Sequence, residues 1–356
     1  MGLCCLWHVG LAVDLFDGTA NVIFYAAAQV VPNGTEVKGF VRFDGGMTVA
    51  SGSEITCNII PPICGPIGLN NDGKITLSGD MMLGANVTLA SGGIIDGNNH
   101  VIFLQSDLII PAGQTLTFVS NTTIDGQGHR LIFAQATNPG RLVIDGDEDT
   151  NVTLKNITIE GIEDTSTTHR SIQFGEAEGQ SLTLDTVCMI LRENYTFQGG
   201  GITIMGDTVI QGNKMFTFAA AQDLLIKKNA CFALDMDVEF RYSPSDRSKT
   251  HIVFEDSSSV LFLNGCMLSM LRTQPLILTK GHLVIDHKTY IYGSGANRSG
   301  LGIIWGDGTN DNNLLVDIMP GASVEVIEGF LTYNNIDDVN GSGSGWNRGI
   351  YDEQTR

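Results

Sequence analysis

The sequence of residues 84–133 repeats itself at an offset of 29 residues. The matched pairs are Gly84/Gly113, Val87/Leu116, Thr88/Thr117, Leu89/Phe118, Ser91/Ser120, Ile95/Ile124, Asp96/Asp125, Gly97/Gly126 and His100/His129. Solenoid proteins repeat at periods of about 20 to 45 residues, because each coil contacts only its neighbours. The repeat therefore predicts a stack of similar coils, each of about 29 residues in this part of the chain.

A longer period follows downstream. IQFGE at 172–176 is matched by IVFED at 252–256 and by IIWGD at 303–307, and residues 200–212 are matched by residues 281–293. This part of the chain contains short apolar alternations such as VTL at 152–154 and ITI at 202–204, punctuated by Gly, Asn or Asp. Alternation with period two predicts short strands with one buried face, and no window keeps a helical stripe. The predicted class is all-β, with coils stacked along an axis rather than arranged as propeller blades.

Three segments carry a resemblance to a known family. IDGNNH at 95–100, IDGQGH at 124–129 and NVTLKNITI at 151–159 are similar to coils of the pectate-lyase-like right-handed parallel β-helix superfamily. Similar coils occur in bacterial surface proteins and autotransporter passengers. The resemblance covers residues 74–335 and implies a single-stranded right-handed parallel β-helix, in a secreted or cell-surface protein.

We divide the chain into three parts on this basis. Residues 1–65 are expected to form an N-terminal segment and cap that includes the apolar run at 22–31, because an open solenoid exposes strand edges at its ends. Residues 66–335 form the β-helix, and residues 336–356 a polar tail or linker. The inward columns of the solenoid are predicted to include Leu89, Phe118, Leu154, Leu184, Ile204 and Ile285.

The net charge limits the classes of partner, and the cysteines leave the disulfide state undecided. The 39 acidic and 20 basic residues give a formal charge of −19, which disfavours nucleic acid and anionic lipid surfaces. The longest apolar runs are shorter than the roughly 18 residues of a spanning helix, and the first 13 residues lack the Lys or Arg of a secretion signal. Cys57 and Cys64 flank a Pro-rich loop, where a small disulfide and two free thiols both remain open.

The strongest catalytic candidate is LDMDVEFR at 234–241. On a strand, Asp235, Asp237, Glu239 and Arg241 form one outward row, because successive side chains alternate between faces. This row resembles the clusters of carboxylates and Arg with which β-helix pectinases bind calcium, abstract a proton or hydrolyse a glycosidic bond. Outward charges are also the ordinary state of an exposed strand face.

Two other groups have both a functional and a structural interpretation. Asp307, Thr309 and Asp311 offer oxygen ligands for calcium, and a solvated loop explains them equally well. Asp96 with His100 and Asp125 with His129 resemble acid-base pairs, but the following Gly favours turns in which Asp accepts local backbone N–H groups.

The leading functional hypothesis is therefore a non-enzymatic cell-surface or secreted β-solenoid with a structural or adhesive role. The alternatives are a carbohydrate-active β-helix enzyme, either a polysaccharide lyase or a glycoside hydrolase, and a calcium-dependent glycan-binding module. The expected partners are polysaccharides or cell-surface glycans. No cofactor is expected, with calcium as the one ion that the acidic loops could hold.

Overall fold

The computed structural model describes most of the chain between residues 93 and 294 and shorter segments on either side. The described residues are 22–24, 29–31, 33–34, 36–39, 41–43, 47–49, 52–59, 67–69, 73–83, 93–135, 138–166, 169–246, 248–271, 276–294, 302–305, 315–328, 330–333 and 348–351. They contain 39 strands and no helix.

The strands are short and follow one another closely along the chain. The N-terminal strands are β1 (Val22–Phe24), β2 (Gln29–Val31), β3 (Glu36–Gly39), β4 (Val41–Phe43), β5 (Met47–Val49), β6 (Glu54–Ile59) and β7 (Ile67–Leu69). The next strands are β8 (Lys74–Leu77), β9 (Met81–Leu83), β10 (Gly93–Asp96), β11 (Val101–Leu104), β12 (Leu108–Ile110), β13 (Thr115–Phe118), β14 (Thr122–Asp125), β15 (Arg130–Phe133), β16 (Arg141–Ile144), β17 (Asn151–Ile162), β18 (Asp164–Ser166), β19 (His169–Arg170), β20 (Ile172–Phe174) and β21 (Ser181–Leu191).

The C-terminal half continues in the same manner. Its strands are β22 (Tyr195–Phe197), β23 (Gly201–Ile204), β24 (Thr208–Gln211), β25 (Met215–Phe218), β26 (Leu224–Ile226), β27 (Cys231–Leu234), β28 (Glu239–Tyr242), β29 (Ile252–Phe254), β30 (Val260–Asn264), β31 (Met267–Leu271), β32 (Leu276–Leu278), β33 (His282–Asp286), β34 (Lys288–Ser294), β35 (Gly302–Trp305), β36 (Leu315–Ile318), β37 (Ser323–Glu328), β38 (Phe330–Tyr333) and β39 (Arg348–Tyr351).

Successive coils place their strands on three faces of one solenoid. Face A consists of a seven-stranded sheet, β3-β6-β8-β10-β13-β16-β20, followed by a six-stranded sheet, β22-β25-β28-β31-β34-β37. Face B contains β9, β11, β14, β23, β26 and β29, then β32, β35 and β38, and face C contains β12, β15, β24, β27, β30, β33 and β36. The long strands β17 and β21 cross from face B to face C.

All described strand pairs are parallel except β18 with β19 and β38 with β39. The prediction of an all-β parallel β-helix is confirmed. Nearly all parallel crossover connections in proteins are right-handed. The right-handed winding of this solenoid stays a prediction.

The core consists of the inward residues of the three faces. Burial alternates along most strands, and Phe118, Leu154, Leu184, Ile204 and Ile285 are buried as predicted, whereas Leu89 lies outside the described residues. Burying a large apolar side chain contributes about 1.5 to 3 kcal/mol. These aligned columns therefore supply most of the driving force for stacking.

The prediction of a coil of about 29 residues around residues 84–133 is wrong. Ile95 on face A pairs with Ile75 and Phe118, at sequence separations of 95 − 75 = 20 and 118 − 95 = 23 residues. Ile124 instead lies on face B, paired with Ile102 and Leu154. The 29-residue match joins two different corners of the solenoid, because both corners use an Asp-Gly turn after an apolar residue.

Strand pairing extends beyond both ends of the predicted β-helix. On the N-terminal side of residue 66, β3 and β6 pair in parallel with each other, and β6 pairs with β8. Residues predicted to cap the stack thus contribute strands to it. At the other end, β39 in the predicted tail pairs antiparallel with β38.

Candidate functional site

The predicted catalytic row does not lie on one strand. Asp235 and Asp237 lie in the turn between β27 and β28, and only Glu239 and Arg241 belong to a strand. Asp237 has a φ of 65°, and Met236, which the strand pattern placed inside, is 49% exposed. The strand prediction for 234–241 is wrong because the chain must pass from face C to face A here, and a left-handed residue makes that corner.

The contacts of these side chains separate them further. Asp235 Oδ1 accepts hydrogen bonds from the Met236 N–H at 2.9 Å and from Asn264 Nδ2 at 2.7 Å, so it joins this turn to the next coil. Glu239 Oε1 lies 3.0 Å from Arg241 Nη2 on the same strand. The structure therefore gives a turn residue and an intrastrand ion pair, and a catalytic role for any of them stays a prediction.

The Asp-Gly turns agree with the structural interpretation of Asp125. Its Oδ1 accepts the Gln127 backbone N–H at 3.0 Å. Asp96 accepts the Ser120 hydroxyl at 2.6 Å and lies 3.0 Å from Lys74 Nζ. Burial acts to raise the pKa of Asp96, but these hydrogen bonds outweigh it and hold the pKa below its usual value.

The histidines of the two turns contact acidic residues of the preceding coil instead of the Asp in their own turn. His100 Nδ1 lies 3.6 Å from Asp80 Oδ1, and His129 Nδ1 lies 4.0 Å from Asp107 Oδ1. These contacts connect neighbouring coils.

The residues predicted to bind calcium are not among those that the structure describes. Asp307, Thr309 and Asp311 lie outside the described residues, so this site stays a prediction. Among the residues that are described, no group of three or more His, Cys, Asp or Glu side chains could hold a metal ion. Cys57 is a buried free thiol, and Cys64 also lies outside the described part.

A surface concavity follows the corner between faces B and C. We call it the corner groove, a depression of about 620 Å³ whose polar lining residues include Asp125, Asn156, Thr158, Thr186, Cys188 and Asp207. Asn156 and Thr186 have φ values of 47° and 62° and bend the long strands β17 and β21 across this corner. A β-branched residue in this conformation costs about 1 to 2 kcal/mol. The strain at Thr186 marks the groove as the leading candidate binding surface.

The chemistry of the corner groove suits binding better than covalent catalysis. The carboxylates of Asp125 and Asp207 line the groove and form no ion pair with any residue that the structure describes. Val187 and Val209 supply apolar surface. Burial raises the pKa of the Cys188 thiol, so it stays protonated and is a weak nucleophile. The groove thus offers hydrogen-bond acceptors beside apolar patches.

A buried polar cluster that the sequence did not reveal lies beside the β18–β19 hairpin. Arg170 Nε is 3.5 Å from Asp164 Oδ2, which also accepts the Thr196 backbone N–H at 2.7 Å. Burial raises the pKa of Asp164, although the Thr196 hydrogen bonds and the Arg170 charge act to lower it. Asp164 and Arg170 are paired across the β18–β19 hairpin, whereas Thr196 comes from the next coil, and no local motif marks the cluster.

Comparison of the chain with protein-family models, with curated protein sequences and with solved structures found no match. Within the described residues no helix is long and apolar enough to cross a membrane.

Proposed function

We propose that this chain is a non-enzymatic cell-surface or secreted β-solenoid with a structural or adhesive role, related to the pectate-lyase-like superfamily. The observation that carries the proposal is that outward charged side chains pair with one another between coils. Most ion pairs of the described surface join residues of neighbouring coils, so the charged side chains are engaged in stacking.

Two cations show this arrangement most clearly. Lys74 Nζ lies 3.2 Å from Glu54 Oε1 in the preceding coil and 3.0 Å from Asp96 Oδ2 in the following coil. Arg130 likewise bridges Asp107 at 2.6 Å and Glu160 at 3.3 Å. Further pairs between coils are Lys155–Asp185, Lys214–Glu193, Lys227–Glu255 and Lys288–Glu325.

Each exposed pair contributes only about 0 to 1 kcal/mol. Together these ion pairs favour the correct register of the coils, because a slipped coil would place like charges beside each other. A carbohydrate-active enzyme requires instead carboxylates that face a substrate, and Glu239 faces Arg241.

The adhesive part of the proposal assigns polysaccharide or cell-surface glycan to the corner groove. Carboxylate and amide groups beside apolar patches can bind hydroxyl groups and the apolar side of a sugar ring. Asp125 and Asp207, which form no ion pair with another described residue, favour neutral or cationic sugars over anionic ones.

A binding and cleavage assay on one polysaccharide panel tests the proposal. The purified chain is incubated with neutral, amino-sugar and uronic-acid polymers, with and without EDTA, and both retention and new chain ends are measured. We expect no new chain ends and retention of neutral or amino-sugar polymers that Asp125→Asn/Asp207→Asn abolishes. Glu239→Gln is the matched control and should bind normally.

Other outcomes would favour the alternatives. Polymer cleavage that disappears in Glu239→Gln or Asp235→Asn would establish an enzyme. Binding that EDTA and Asp307→Asn remove, with the groove variant unaffected, would establish a calcium-dependent module. Surface location is tested separately, by protease treatment of intact cells that express the full protein.

A further inference from the structure

His251 is a fully buried histidine at the start of β29, on the far side of the loop that follows β28. Its side chain is 0% exposed. Nδ1 lies 2.8 Å from Asp223 Oδ1, and Nε2 lies 2.9 Å from the backbone carbonyl oxygen of Asp246. Both ring nitrogens therefore face oxygen atoms.

The partners determine which protonation state fits this site. A carbonyl oxygen only accepts hydrogen bonds, and a neutral imidazole has one N–H donor whereas the imidazolium has two. The two oxygens of the Asp223 carboxylate also lie 2.9 and 3.1 Å from Lys249 Nζ, so this carboxylate faces a cation beside the ring. A neutral His251 would leave a buried nitrogen lone pair against an oxygen, and such a contact is costly.

Two other titratable side chains near the ring have shifted pKa values, Tyr242 and Asp246. Burial raises the pKa of Tyr242 to about 12, so its hydroxyl stays neutral while its oxygen accepts the His251 backbone N–H at 2.7 Å. Hydrogen bonds from Ser248, with the nearby positive charges, hold the pKa of Asp246 below its usual value. Tyr242 and Asp246 therefore each keep one charge state near neutral pH.

The same contacts fasten the loop to the preceding coil. Asp223 lies in the turn before β26, and Asp246 lies within the loop, so the imidazole ring connects the two. The His251 carbonyl accepts the Leu224 N–H at 2.7 Å, and the Ser245 N–H bonds the Ala220 carbonyl at 3.3 Å. Loss of the Nε2 proton removes the link to Asp246.

We propose that a doubly protonated His251 holds residues 243–246 and 248–250 against the solenoid, and that loss of one proton releases this loop. The device is independent of the proposed function of the chain. Because the closed loop holds the extra proton, closure is favoured at low pH and weakens as pH rises. One released proton limits the change in the opening equilibrium to about tenfold per pH unit.

Nitrogen-15 NMR of the imidazole rings tests the protonation state directly. In the folded wild-type chain at pH 5.5 we expect both nitrogens of His251 to carry a proton. A ring with one protonated nitrogen at that pH would overturn the proposal. This measurement needs no substitution, so it holds even where a variant fails to fold.

Hydrogen exchange of the peptide that covers 243–251 tests the release. After correction for the intrinsic exchange rate, we expect protection to fall as pH rises, by no more than about tenfold per pH unit. His251→Gln should remove this pH dependence, and Asp223→Asn should weaken it. His282→Gln is the matched control, because His282 is partly exposed and contacts one described acidic partner, Asp317, at 2.9 Å. Protection that does not change with pH in the wild-type chain would contradict the device.

Discussion

Face A is filled in two different ways along the same solenoid. The inward residues of β16 are the aliphatic Leu142 and Ile144, whereas those of β25 are Phe216 and Phe218. The Phe216 ring lies 5.8 Å from the ring of Phe240 in the next coil, at an interplanar angle of 12°. The two halves show that an inward column needs apolar volume rather than a particular side chain.

The junction between the two halves is more specific. The hydrogen-bonded sheet of face A ends at β20, and the second sheet begins at β22. The buried pair of Asp164 and Arg170 lies at this break, beside Thr196 of β22. Stacked aromatic rings continue the core across regular coils, while a polar cluster connects the coils where the ladder is interrupted.

The largest expected effect is on the aromatic column. Phe216→Ala removes a fully buried ring that contacts rings on both sides, and should lower the free energy of unfolding by about 3 to 5 kcal/mol. Leu142→Ala on the aliphatic half is the matched control, with an expected loss of about 2 to 5 kcal/mol. Chemical denaturation with local hydrogen exchange measures both. A loss below about 1 kcal/mol for Phe216→Ala would show that this column is not packed.

The junction pair should respond more strongly than a surface pair. Arg170→Met leaves the Asp164 carboxylate without its cation, in a site where the two side chains are 10% and 17% exposed, and should cost about 3 kcal/mol. Arg130→Met removes an exposed cation of the ladder, which pairs with Asp107 and Glu160, and should cost only about 1 kcal/mol. Equal losses in the two variants would mean that the junction cluster is no more specific than the ladder.

The pH dependence of stability should differ in sign between the surface pair of Asp107 and Arg130 and the junction pair of Asp164 and Arg170. The hydrogen bond from Arg130 lowers the pKa of Asp107, so its stabilisation is present above about pH 4 and is lost as pH falls. Burial raises the pKa of Asp164, so stability linked to it is present at low pH and is lost as pH rises.

Asp107→Asn should therefore be more damaging at pH 7 than at pH 3, by up to about 1 kcal/mol. Asp164→Asn should show the opposite trend. Unfolding curves at the two pH values measure both variants, and trends of the same sign would contradict the assignment.

The smallest effect is expected at the predicted catalytic row. Asp237 occupies an exposed turn with a φ of 65°, a conformation that Asn also adopts readily. Asp237→Asn should change the free energy of unfolding by less than about 0.5 kcal/mol. A larger loss, measured by denaturation, would reveal an interaction of this carboxylate that the described contacts do not include.

Sequence periodicity was sufficient for the class of fold and for the inward columns. Alternation fixes which side of a strand is buried, so Phe118, Leu154 and Leu184 could be placed inside without knowledge of their neighbours. It could not show where a coil bends. The segment 234–241 alternates perfectly, yet its corner depends on the left-handed backbone of Asp237.

The functional candidates were harder to predict because stacking alone brings them together. Asp223 and His251 are 251 − 223 = 28 residues apart and meet only through the pairing of Leu224 with Ile252. The corner groove similarly combines Asp125, Asn156 and Asp207 from three regions of the chain.

The register of the coils is the central claim, and a pair of engineered disulfides tests it most directly. Ile94 and Thr117 are paired on adjacent strands of face A, within the separation that a disulfide spans, whereas Ile94 and Thr123 are related by the 29-residue repeat and lie on different faces. Ile94→Cys/Thr117→Cys should oxidise to a crosslinked chain with a higher melting temperature than its reduced form. Ile94→Cys/Thr123→Cys should stay reduced under the same conditions, as judged by thiol titration and peptide mapping. Crosslinking of the second pair in place of the first would contradict the three-faced stack.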